Sequence, residues 1–145
     1  MELILNAVDF EENRFVDGYS VGSELYFLVQ NEFFPAEHWY DCTYLDLKNW
    51  LPGLISFASK HTDFCAFFFM DGPYRIRLTR LPDGAVQAVA LREQTEILRE
   101  QDVSVRTLLK SVLSCCRKYD RFLHENGKQN LFQKEIRELL TLLDT

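Results

Sequence analysis

Apolar and polar positions in the second half of the chain follow two regular periods. Tyr74, Ile76 and Leu78 alternate with Arg75, Arg77 and Thr79. That is the period of a half-buried antiparallel strand with a basic outer face. Asp71-Gly72 before it and Pro82-Asp83-Gly84 after it are tight-turn sequences, so 85–92 returns as the next strand and 95–99 as a short last one. From Val105 the period changes. Val105, Leu108, Leu109, Val112, Leu113, Cys116, Tyr119 and Leu123 fall at three- and four-residue steps, which predicts a long helix capped by Ser104 and stopped at Asn126-Gly127. A last helix restarts at Asn130, with Phe132, Ile136, Leu139, Leu140 and Leu143 on its inner side.

The first half is less regular. Residues 2–10 and 24–30 are apolar and β-rich and predict two strands, joined by a loop over Asn13 to Ser23 and closed by Phe33-Phe34-Pro35. Asp41 to Lys60 carries a helical stripe of Leu47, Trp50, Leu51, Leu54, Ile55 and Ala58, with Asp41 or Thr43 as its cap. Pro52 inside it predicts a kink or two short helices. Phe64 to Met70 is apolar at all seven positions, as a central strand covered on both faces or a strand tightly packed at one end would be. The order of elements predicts an α+β fold in one domain over 1–145: an antiparallel sheet of about five to six strands, helices mainly on one face, and two C-terminal helices.

Composition narrows the possible functions. A chain of 145 residues, 47% hydrophobic and 26% charged, is globular. Its net charge of −6 argues against non-specific binding to nucleic acid or anionic membranes. The charge is uneven: residues 1–50 hold ten acids against two bases, whereas 101–145 hold eight bases against six acids. The acids of the first third, above all Glu11, Glu12, Asp17, Glu32, Glu37 and Asp41, lie in or next to predicted turns. They form either an ordinary solvated face or a surface complementary to a basic partner.

Candidate chemistry is sparse. His38 and His61 each precede a cysteine, Cys42 and Cys65, by four residues, which superficially resembles a Cys2His2 zinc set. Cys65 lies in a core strand, and Cys42 sits among Glu37, Asp41 and Asp46, where a thiolate is disfavoured. No phosphate loop and no nucleophile elbow is present. Arg75, Arg77, Arg80, Arg92 and Arg99 form a predicted basic stripe that Glu93 or Glu96 would balance across strands. The expectation is a protein that is not an enzyme, with no cofactor, no metal, no nucleic-acid or membrane partner, and an oligomeric state left open. With no basic leader and four cysteines read as core thiols, a cytoplasmic location is expected.

Two segments carry a resemblance. They are Phe33-Phe34-Pro35-Ala36-Glu37-His38-Trp39-Tyr40-Asp41, running into the Trp50 helix, and Phe67-Phe68-Phe69-Met70-Asp71-Gly72-Pro73-Tyr74-Arg75-Ile76. Together, over roughly residues 24–80, they resemble small bacterial immunity proteins of polymorphic-toxin systems, including those of contact-dependent growth inhibition. The resemblance implies a cytoplasmic antidote that binds and blocks one cognate toxin domain, with no catalytic residues. It implies structural roles for Trp39, Asp41, Trp50, Asp71, Gly72, Pro73 and Tyr74. The alternative reading is a non-enzymatic small-ligand or protein-interaction domain, with a pocket lined by the Phe-rich strand.

Overall fold

A computed structural model of the chain describes residues 1–6, 15–16, 19–20 and 22–144. In chain order the elements are β1 (Glu2–Asn6), β2 (Phe15–Val16), β3 (Tyr19–Ser20), β4 (Ser23–Val29), β5 (Glu32–Phe34), β6 (Tyr40–Asp41), α1 (Thr43–Ala58), β7 (Phe64–Phe68), β8 (Tyr74–Arg80), β9 (Val86–Arg92), β10 (Thr95–Glu100), α2 (Val105–Glu125) and α3 (Gln133–Leu143).

The α+β class holds, but the strands divide into two antiparallel sheets of four rather than one of five to six. In the first, β1 pairs with one edge of β4, while β5 and β6 share its other edge. The second is a meander in the order β10-β9-β8-β7. β2 and β3 pair as a separate short hairpin inside the stretch predicted as loop. The β4–β5 hairpin was not predicted as such. Its turn residues Gln30 and Asn31 both adopt left-handed backbone, at φ 49° and 64°, as a tight hairpin turn requires, yet they carry no glycine to signal it.

Helix α1 corrects two expectations. Pro52 neither breaks it nor divides it, because the helix is continuous from Thr43 to Ala58. Pro52 is on the exposed side, so the carbonyl it leaves unpaired is within reach of water. Asp41 does not cap it either. The cap residue is Cys42, with no side-chain capping bond, and the Thr43 hydroxyl instead meets Ser23 Oγ. The Ser104 cap of α2 is as predicted, with Thr107 N donating to Ser104 Oγ at 3.2 Å.

The core joins both sheets to the helices. Phe27 of β4 lies 5.5 Å from Trp50 of α1 and 5.3 Å from Phe67 of β7, so three elements meet at one aromatic cluster. Helix α2 covers the free edge of β1 with polar side chains: Leu3 N donates to Ser111 Oγ (2.9 Å), and Lys118 Nζ donates to Leu5 O (3.4 Å). At the other end of the molecule β7 was expected to be covered on both faces. It is instead an edge strand, with Phe64 and Phe68 exposed and only Cys65 and Phe67 turned inward.

Trp50 and Phe67 are both buried. Truncating either to Ala should cost about 3–5 kcal/mol in urea unfolding, from lost transfer energy and the cavity left behind. A change within about 0.5 kcal/mol, the scatter of ordinary surface substitutions, would mean that the cluster does not carry the core.

Candidate functional site

The two segments that carry the resemblance fold against each other. Trp39 packs edge-on to Tyr74 with ring centres 5.2 Å apart, and Phe34 contacts Tyr74 at 5.7 Å. Gly72 has φ +78°, and a side chain there would press on the ring of Tyr74, so this turn needs glycine for both backbone and space.

Asp41 lies at the centre of this contact. It is 2% exposed, which removes it from the set of surface acids in which the sequence placed it. Its Oδ1 accepts from Cys42 N (2.7 Å) and Met70 N (3.2 Å). Its Oδ2 accepts from Trp39 Nε1 (3.0 Å) and Asp71 N (3.1 Å). The donors belong to both motif segments, so the carboxylate binds β6 and the start of α1 to the turn after β7. Burial of this side chain follows from partners 29 and 30 residues away, which local turn signals do not reveal.

Asp46, one turn into α1, is fully buried beside it and also accepts from Met70 N, at 3.2 Å through Oδ1. Its Oδ2 has no hydrogen-bond partner, so a charge there would be buried and unpaired. Burial first, then the hydrogen bond to Asp41 and the charge of that neighbour, push the Asp46 carboxyl up to about 10. Asp46 therefore keeps its proton at neutral pH beside the Asp41 carboxylate. Neither acid is open to a substrate, so the pair holds the structure together and is not an acid–base site.

The other sequence candidates separate. Glu32 and Glu37 are exposed, at the start of β5 and in the turn before β6. Glu11, Glu12 and Asp17 lie outside the described residues. Between Glu32 and Glu37, and just after them, the same segment exposes Phe33 (40%) and Tyr40 (51%), two aromatics the sequence reading did not single out. Their signal was the strand alternation around Phe34, which turns inward and so leaves Phe33 facing out. His38 pairs with Glu24 (3.2 Å) and Glu37 (3.5 Å) rather than with Cys42.

Burial raises the thiols of Cys42, Cys65, Cys115 and Cys116, with Cys65 and Cys115 reaching about 12. None is a thiolate at neutral pH, so none is an activated nucleophile. Among the described residues no group of histidines, cysteines and acids is placed to hold a metal ion.

The opposite charge gathers on the C-terminal helices. Arg117, Arg121, His124 and Arg137 line a shallow groove between α2 and α3. At its floor Asp120 accepts from Leu131 N (3.0 Å) and Phe132 N (3.2 Å), tying the connection between the helices to α2. Arg80 leaves the predicted basic stripe altogether: its guanidinium stacks on Phe57 at 4.3 Å and donates to Phe57 O at 2.9 Å. Arg99 pairs with Glu96 three residues earlier on its own strand β10, so this balance is within one strand and not across strands as expected. Among the described residues no helix is long and apolar enough to cross a membrane. Compared with family models, curated proteins and solved structures, the chain finds no match.

The acid pair makes stability depend on pH with a definite sign. Asp46 in the unfolded chain loses its proton near its ordinary value of 3.8, and in the fold it keeps it to about 10. The folded state therefore binds the extra proton across that window, and stability falls as pH rises, by at most about 1.4 kcal/mol per pH unit. Asp120, also raised by burial, adds to the same slope at its lower end. Asp46→Asn keeps the shape of the side chain and cannot lose a proton in this range. Urea unfolding between pH 6 and 9 should show a shallower loss for this variant than for the wild type. Equal slopes would contradict the protonated pair. Asp41→Asn sets an N–H group against N–H donors and should cost about 1–3 kcal/mol at any pH in that range.

Proposed function

We propose that the protein is an immunity protein that binds a cognate secreted toxin domain in the bacterial cytoplasm and neutralises it. The observation that carries this reading is the segment 32–41. It belongs to the motif that resembles immunity proteins, it is anchored from behind by Asp41, and it presents Glu32, Phe33, Glu37 and Tyr40 outward. Exposed aromatics flanked by charge are the composition of a protein-binding surface, where aromatics supply contact area and rim charges set the approach. The carboxylates suit a toxin with a basic face.

The direct test is to read the gene neighbourhood for a large secreted protein and to co-express its C-terminal domain with this chain. Growth should be restored, and the two proteins should co-purify. A neighbouring gene set of metabolic enzymes, or a toxin domain that neither binds nor is neutralised, would count against the reading.

The face itself is tested by kinetics. Glu32→Lys combined with Glu37→Lys should slow association roughly tenfold at low ionic strength and much less at high salt, with a smaller change in dissociation. Both side chains are exposed, so the fold should be unaffected. An association rate indifferent to salt and to charge reversal would place the contact elsewhere on the molecule.

A further inference from the structure

The outward edge of β7 is covered along only part of its length. Arg80 N donates to Asp63 O (2.8 Å) and Phe69 N to Tyr74 O (3.1 Å), so the odd-numbered residues of this strand exchange hydrogen bonds with β8. Antiparallel pairs alternate, so the even-numbered residues turn their N–H and C=O groups the other way. At the C-terminal end these groups have partners. Trp50 Nε1 donates to Phe68 O (2.8 Å), and Met70 N donates to Asp41 and Asp46. Further back, the N–H and C=O groups of Phe64 and Ala66 meet nothing among the described residues.

That stretch has none of the usual protections of an edge. It carries no charge, no proline and no bulge, and Phe64 and Phe68 stand 53% and 58% exposed on its open face. β1, the edge strand of the other sheet, is by contrast bonded by Ser111 and Lys118.

We infer that this edge pairs with the same edge of a second copy of the chain, antiparallel and centred on Ala66. The two meanders then join into one eight-stranded sheet. The sequence of β7 fits a two-fold axis at that residue. Ala66, the smallest side chain on the open face, meets its own copy at the axis. Phe64 lies opposite Phe68 of the second copy, and Phe68 opposite Phe64, so two cross-strand aromatic pairs form; Phe68 O gives one lone pair to Trp50 Nε1 and has its second for the N–H of Phe64 of the other copy. Arg75, already over Phe68 at 5.7 Å, flanks each pair. Charge is complementary in this register as well. The exposed Lys60 and His61 before the strand approach the exposed Asp71 of the other copy, and symmetry makes the contact twice.

This assembly is independent of the toxin reading, and its test needs no toxin. Sedimentation equilibrium of the wild type should show a monomer–dimer equilibrium. Ala66→Cys should cross-link under mild oxidation, because hydrogen-bonded partners across such a pair sit about 5.5 Å apart at Cα, inside the range a disulfide spans. Asp83→Cys, in a distant turn, should not. Ala66→Pro removes only an outward N–H and should give a folded monomer by circular dichroism and sedimentation. Phe68→Lys should do the same by charge. A wild type that stays monomeric at several hundred micromolar, with Ala66→Cys left uncrosslinked, would overturn the inference. So would a dimer that survives both Ala66→Pro and Phe68→Lys, or a strand of another protein occupying this edge instead.

Discussion

The Asp41 carboxylate ties together three parts of the chain that are far apart in sequence or belong to different sheets. It sits at the end of the first sheet and takes its hydrogen bonds from the indole of Trp39, the entry to α1 and the turn that leaves β7 in the second sheet. A buried carboxylate is costly unless its lone pairs are filled, and here both oxygens are. The neighbouring Asp46 would double that cost if it were charged, and it avoids it by keeping its proton. The aromatic cluster of Phe27, Trp50, Phe67 and Phe69 supplies the apolar side of the same junction. Apolar burial drives the two sheets together, and the acid pair fixes how they meet.

The same junction divides the surface. In front of it the segment from Glu32 to Tyr40 is held out to solvent on a rigid base, which is what a contact surface of defined shape needs. Behind it, Trp50 and the two acids occupy one end of the open edge of β7 and leave the other end free. The arginines of the groove between α2 and α3 stand on the C-terminal helices, of which α3 packs against α1.

Much of this fold was legible because local signals were strong. β8, β9 and β10 follow from two-residue alternation and glycine turns, and α2 follows from its long apolar stripe and Ser104 cap. The division into two sheets was not legible, since alternation tells which face a residue takes and not which strand it pairs with. β7 misled for a related reason. A strand apolar on both faces reads as covered, and Phe64 and Phe68 are apolar yet open. Asp41 misled because an acid near a turn reads as exposed, and only contacts 29 and 30 residues away bury it. The motif residues themselves were legible as a group, and the structure brings Trp39, Asp41, Gly72 and Tyr74 into one place.

Two acids meet in the interior, and one of them holds a proton at neutral pH. The carbon-13 signal of the Asp46 side-chain carboxyl, followed by NMR through the neutral range, reads that proton. It should stand at the position of a protonated acid from pH 5 to pH 8 and move only as the pH nears about 10. A signal that titrates near 4, as an ordinary aspartate does, would show that the junction carries two charges and is held together in some other way.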